Sequence, residues 1–465
     1  MDDRRTPCMG GWFFILTCGV LAPVLTGQAL QGQSSSPELK LVMDRLDRLE
    51  AQNRELLQEV KALQQQLASS QSQSAPVVAS GDLPAPASTA PLADELEIHE
   101  RRIAELDQSK VATDHKFPLS ITGMVLENTF WTGKGGGGAD NPTLASPTPG
   151  QSSGGATFRQ TVVGLKYDGA DIIGGGKVTG SVYFDLFGGT GGTLNQMMRL
   201  RVASLDSTWK NTTVTFALDK PLIAPMEPDS LAQVGVSPLT SAGNLWIWQP
   251  QLRVEQRFHF GERAGLRAQA GIWQTAESGV GAVGYTPAKA RPGYQGRFQF
   301  WKDFSDGARI EIAPGFHVSD THIDGQSVPS RVFAMDWLIR PIDRIDFSGT
   351  FFSGENVGVL GGLRQGVVIV RDVAHAVHAT GGMMQLKIRA TPRLTFNLYG
   401  GQEDDRNSDL LTGAIGKNQT YAANMVYRFG ANVLTSFETS QTRTDYLGSG
   451  RRLFPHYDLA IAYMF

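Results

Sequence analysis

The chain has 465 residues, 41% of them hydrophobic, and a formal net charge of -3. That near-neutral balance provides no basic footprint for nucleic acid, and no such partner is expected. Mean hydropathy is -0.18. No stretch beyond the N-terminal segment is long and apolar enough for a membrane helix, yet a barrel of alternating strands averages to polar and escapes that exclusion.

Residues 1–29 read as a secretory signal peptide. Arg4 and Arg5 precede an apolar run from Trp12 to Val24, and Gly27-Gln28-Ala29 offers a cleavage site. Both cysteines, Cys8 and Cys18, lie in this segment. Cys18 follows Thr17, a poor context for lipidation, so the exported chain is expected to carry no thiol chemistry.

Residues 37–67 carry heptads. Leu39, Leu46, Asn53, Val60 and Leu67 form one seam position; Val42, Leu49, Leu56 and Leu63 form the other. Charged flanks such as Asp44, Arg48, Glu55 and Lys61 complete the pattern of an α-helical coiled coil, with Asn53 setting register. An oligomer follows, with two or three strands both open. Residues 68–92 are a Pro/Ser/Gln/Ala linker. In 93–110, Leu96, His99, Ile103 and Leu106 give a short helical segment. It could extend a stalk or plug a barrel mouth.

From residue 117 to 465 the texture becomes alternation. The pattern predicts an all-β transmembrane barrel of about sixteen antiparallel strands. They fall near 119–131, 157–167, 177–187, 199–209, 212–219, 246–260, 264–274, 294–304, 308–317, 331–340, 344–352, 377–390, 394–401, 418–429, 433–442 and 456–465. Short turns such as Lys210-Asn211, Gly261-Glu262-Arg263 and Thr391-Pro392-Arg393 alternate with long loops at 132–156, 188–198, 220–245, 275–293, 318–330, 353–376, 402–417 and 443–455. Short turns at one rim and long loops at the other characterise outer-membrane barrels. The final strand sets Tyr457, Leu459, Ile461, Tyr463 and Phe465 on one face, an aromatic ending common in such barrels.

Parity assigns the two faces. Leu252, Val254, Phe258 and Phe260 should meet lipid, and Arg253, Glu255, Arg257 and His259 the lumen. The same rule turns Arg199, Arg201, Arg267, Arg297, Arg309, Lys387, Arg389 and Arg428 inward, with Asp303, Glu311, Asp336, Asp346, Glu438 and Asp458. A charge on the lipid face costs about 2–4 kcal/mol at the midplane, so the sorting is forced. So charged an interior must be wet, which implies passive diffusion of small polar solutes. Inward Arg and Lys favour anions, unless neighbouring carboxylates pair with them. Loop 220–245 is rich in proline and apolar residues, as expected if it folds into the lumen as a constriction. Its Glu227 and Asp229 would then face Arg199, Arg201, Arg253, Arg257 and Arg297.

Tyr183-Phe184-Asp185-Leu186-Phe187-Gly188, Arg199-Leu200-Arg201 and Pro228-Asp229-Ser230-Leu231 resemble the strand and constriction-loop pattern of the DcaP-type trimeric porins. The architecture from 37 to 465 fits that family, although the proline-rich spacer and Gly-rich first loop depart from it. The resemblance implies a homotrimer in the bacterial outer membrane, a periplasmic N-terminal region and uptake of small anions such as dicarboxylates. The pore-lining set is then Arg199, Arg201, Arg253, Arg257, Arg267, Arg297, Arg309, Glu227 and Asp229. Two rivals are a substrate-specific dicarboxylate channel and a structural tether whose coiled coil contacts peptidoglycan. No enzyme, metal site or cofactor is expected. Gly135 to Gly138 lack a following Lys-Ser/Thr, and no Gly-x-Ser-x-Gly or HExxH occurs.

Overall fold

The computed structural model describes residues 118–465, apart from 138–139, 190–195, 276–286, 289–290, 305–306, 324 and 364. The predicted signal peptide, coiled coil 37–67, linker 68–92 and helical segment 93–110 lie outside the described residues.

Sixteen antiparallel strands close into a barrel. In chain order they are β1 Leu119–Thr132, β2 Val162–Ile172, β3 Gly176–Gly188, β4 Met197–Thr208, β5 Thr212–Asp219, β6 Gln249–His259, β7 Ala264–Gln274 and β8 Pro292–Asp303. Then come β9 Arg309–Ile323, β10 Gln326–Ile342, β11 Ile345–Glu355, β12 His378–Arg389, β13 Leu394–Asp405, β14 Ile415–Arg428, β15 Val433–Tyr446 and β16 Gly450–Met464. Each pairs with its sequence neighbours, and β1 closes on β16 from Met124↔Met464 to Thr132↔His456. Closure leaves no sheet edge, which a lipid environment requires because nothing there can hydrogen-bond a free strand. No described helix is long and apolar enough to cross a membrane.

The faces separate as parity demands. Val254 and Phe258 of β6 are 46% and 47% exposed, while Glu438 of β15 is 3% exposed. Directly paired residues share a face, so Val163 and Leu165 on β2 extend the outer surface of Phe184 and Val182 on β3. Inside, Asp185, Asp336, Asp346, Glu438 and Asp458 are buried. The outside is built for hydrocarbon and the inside for polar groups.

Several boundaries differ from the alternation pattern, three of them by the most. The second strand runs 162–172 rather than 157–167. Ser153–Thr157 instead forms a short strand on the upper half of β1, from Asn128↔Thr157 to Thr132↔Ser153. A bulge at Asp168–Asp171 carries β2 through polar residues that read as a turn. The loops expected at 318–330 and 443–455 are mostly strand. β9 and β10 stay paired out to Ile323↔Gln326, and β15 and β16 out to Tyr446↔Gly450. Above the hydrocarbon a strand needs no greasy face, so polar residues there continue the ladder.

Candidate functional site

Residues 220–248 leave β5, run around the inside of the barrel and re-enter the wall at β6. Sequence makes the path rigid: Pro221, Pro225, Pro228 and Pro238 restrict the backbone. The apolar residues supply their own core, with Ile223, Ala224 and Leu245 packed on Val332, Phe352, Val357 and Leu360. Further on, Leu239 and Ala242 pack on Met383, Tyr399 and Ala422. Gly243 has φ +96, and a Cβ there would lie 2.1 Å from the Gly382 carbonyl oxygen, so only glycine lets the loop approach the wall this closely.

Hydrogen bonds pin the loop at successive strands. Leu222 N–H donates to Gln295 Oε1 at 2.7 Å. Asp229 N–H donates to Gln385 Oε1 at 2.8 Å, and Gln385 Nε2 donates back to Asp229 Oδ2 at 2.6 Å. Ser230 Oγ donates to Glu438 Oε2 at 2.7 Å, and that carboxylate also accepts from Tyr399 and Asn424. Asn128 Nδ2 donates to the Leu231 carbonyl at 2.8 Å. Gln160 donates to the Ala232 carbonyl and accepts from Val234 and Gly235 N–H. Arg199 Nη2 donates to the Gly235 carbonyl at 2.6 Å, and Arg201 donates to the Val234 carbonyl. The loop is thus tied to opposite walls.

Two cavities lined by charged side chains flank it on the short-turn side. One, of about 710 Å³, is lined by Lys220, Arg253, Arg257, Arg267 and Arg297 against Asp206, Asp219, Glu255 and Glu311. The other, of about 500 Å³, is lined by Arg201, Lys387, Arg393 and Arg428 against Glu227 and Asp229. Basic groups therefore exceed acidic ones in both, by one and by two. Arg309 lies beside the first cavity, bound to Asp303 at 2.6 Å and Glu311 at 2.5 Å.

Most of the basic groups are paired. Arg199 and Arg201 share Asp185 at 2.7 and 3.3 Å, with the carboxylate fully buried. Arg253 holds Asp219 at 3.0 Å. Glu255 takes Arg257 at 2.8 Å and Arg267 at 3.3 Å. Arg297 forks onto Asp336 with two 2.7 Å bonds, both side chains buried. Such a fork fixes geometry, and losing one partner would strand a buried charge.

The sequence expectation that Glu227 and Asp229 face the arginine wall needs correction in its partners. Glu227 pairs with Lys220 and accepts from Ser237 at 2.6 Å; Asp229 pairs with Lys387 at 3.1 Å. Arg253 is held by Asp219 on the neighbouring strand, Arg257 by Glu255 two residues away on its own strand, and Arg297 by Asp336 two strands away, across β9. Lys220 was not singled out by parity because it lies one residue past a strand. Burial, with Arg201 nearby, pushes its ammonium down to about 8, and Asp219 offsets part of the shift. Trp248 was also missed. Residues 246–248 alternate like strand but belong to the loop, and the Trp248 ring lies 5.1 Å from the Arg199 guanidinium and 4.8 Å from that of Arg201.

With this geometry in hand, comparison with solved structures finds the outer membrane channel DcaP of Acinetobacter baumannii at a TM-score of 0.61 and 15% identity. The match covers 75% of this chain and 97% of that one. The fold is that of DcaP. An anion-selective porin from Comamonas acidovorans matches at a TM-score of 0.50 and 12% identity, over 75% of this chain and 99% of that one. No family model and no curated protein matches the chain. At these identities the DcaP likeness concerns backbone architecture. It fits the barrel closure and strand count derived above.

Proposed function

We propose that this protein is an outer-membrane porin through which small polar solutes diffuse passively, with a mild preference for anions. The observation that carries the reading is the loop 220–248 pinned across the lumen beside two charged, wet cavities, each with a surplus of basic groups. A dry interior with this many ionised groups would be prohibitively costly, so water fills it. The DcaP-like fold supports the outer-membrane location, with the short-turn rim periplasmic. Extensive ion pairing mutes the sign of the field, so selectivity is weak. What remains is the excess of basic over acidic side chains among those lining the two cavities. In this reading Arg199, Arg201, Arg253, Arg257, Arg267, Arg297 and Arg309 line the path, and Glu227 and Asp229 hold the loop's inner edge to it. The heptads of 37–67 add a periplasmic stalk joining three barrels.

The test is conductance of the full chain in planar bilayers under a salt gradient. Stepwise ohmic currents with a reversal potential on the anion side are expected. Arg253→Glu combined with Arg257→Glu should move that potential toward cations, because four units of charge change in the larger cavity. Absence of current would remove the reading; current with an unmoved potential would remove the pore-lining assignment.

A further inference from the structure

The outer wall of β10–β14 is not uniformly packed with bulky side chains. It contains a groove of about 560 Å³. Its floor is Gly382 of β12 and Gly400 of β13, both on the lipid side, since Gly382 pairs with Phe351 and Gly400 with Tyr421. Phe351, Met384, Leu398 and Tyr421 wall it, and Trp337 ends it toward the short-turn rim. Glycine inside a strand weakens the sheet and marks a place where something approaches the backbone closely.

The groove's other end meets a polar band. Thr380 and Gln402 line it there. Thr380 shares a 3.1 Å hydroxyl contact with Ser353, and Gln419 donates to Gln402 at 2.7 Å. Beside that band the Arg443 guanidinium lies 5.7 Å from the ring of Tyr421, the groove's own wall. Arg443 donates to Gln441 and has no carboxylate partner among the described residues, whereas its outward neighbours Lys417 and Arg451 are paired with Asp404 and Asp445. Arg443 is therefore a cation available at headgroup level.

Length agrees with one leaflet. From Thr380 to Leu386 the groove follows six strand steps, about 20 Å at roughly 3.3 Å per residue. Tilted by about 40°, that covers about 15 Å of depth, half of a hydrocarbon core of about 30 Å. We propose that this groove seats an acyl chain of a phosphorylated lipid of the outer leaflet, with the lipid's phosphate on Arg443. The inference goes beyond solute passage and rests only on the outer-membrane orientation of the barrel.

The full chain is reconstituted in phosphatidylcholine nanodiscs doped with diphosphoryl lipid A, released into mild detergent and weighed by native mass spectrometry. Lipid A should stay bound, one per barrel, in preference to phosphatidylcholine. Arg443→Gln, a change at a half-buried, outward-facing position that leaves the barrel's inner wall intact, should lower retention on the order of tenfold, the loss expected for one charge-assisted contact. Met384→Trp, which fills the groove, should abolish it. Both variants should conduct as the parent does, which separates this test from that of the pore. Equal retention of phosphatidylcholine, retention unchanged by Arg443→Gln, or a Met384→Trp protein that keeps its lipid but changes oligomeric state would each overturn the proposal. The last result would make the groove a contact between copies of this chain.

Discussion

Replacing Glu438 with alanine should loosen the lumen loop at one defined point. The Glu438 carboxylate accepts from Ser230 Oγ at 2.7 Å, Asn424 Nδ2 at 2.9 Å and Tyr399 Oη at 2.7 Å. Of these, only Ser230 belongs to the loop, while Asn424 also donates to the Asp229 carbonyl at 2.8 Å. A hydrogen bond to a charged acceptor contributes roughly 1.5–3 kcal/mol, and each donor left buried without a partner costs about 1–3 kcal/mol. Water from the lumen would satisfy some of them, so the local loss is about 3 kcal/mol, or roughly a hundredfold in the ratio of seated to released conformations of 228–231. The ties from Gln160, Arg199 and Arg201 remain, so the loop should flicker rather than leave. Single-channel recordings should show raised open-channel noise and a modestly larger mean conductance. Glu438→Gln, which keeps one carbonyl acceptor, should fall between. Parent-like noise in Glu438→Ala, with an unchanged melting temperature, would refute the claim that this carboxylate holds the loop.

Two further outcomes follow from the same loop. Lys220 carries a proton below about 8 and loses it above, so raising pH from 7 to 9 removes one positive charge beside the larger cavity. Anion preference, read from reversal potential, should therefore weaken over that interval, and Lys220→Gln should show the weakened value at both pH values. A pH response that survives in Lys220→Gln would exclude this residue. Gly243→Val forces a left-handed backbone on a β-branched residue and drives its Cβ into the Gly382 carbonyl. The barrel should still resist SDS without heating, because its wall is untouched, while the pore current becomes larger and less stable. An unaltered current would show that the loop does not need this approach.

Much of the barrel was legible because hydrocarbon on one side and water on the other enforce a period of two. Thr212–Asp219 and Ala264–Gln274 match their alternation to the residue. Reading failed where that pressure stops. The ends of β9 and β10 rise above the apolar belt, so Ser319, Asp320 and Thr321 look like loop yet remain paired with Ser330, Pro329 and Val328. The inward direction of the arginines was legible for the same reason as the strands. Their partners were not, because Asp219 lies one strand from Arg253 and Asp336 two strands from Arg297, and which carboxylate comes within reach depends on registers that the turns set. The loop's inward course was announced by its prolines and apolar residues. Its anchors at Gln160, Gln385 and Asn424 are ordinary polar residues whose role appears only once the barrel has closed.

Arg253 lines the larger cavity while Val254, one peptide unit on, is exposed on the outer face of the barrel. Single cysteines placed at Arg253 and Val254, in a chain whose Cys8 and Cys18 are replaced by serine, distinguish the two faces. A charged, water-soluble methanethiosulfonate added to the open channel should react rapidly with Arg253→Cys and change its current, and should leave Val254→Cys unmodified. Equal reaction at both positions, or reaction at Val254→Cys alone, would contradict the account.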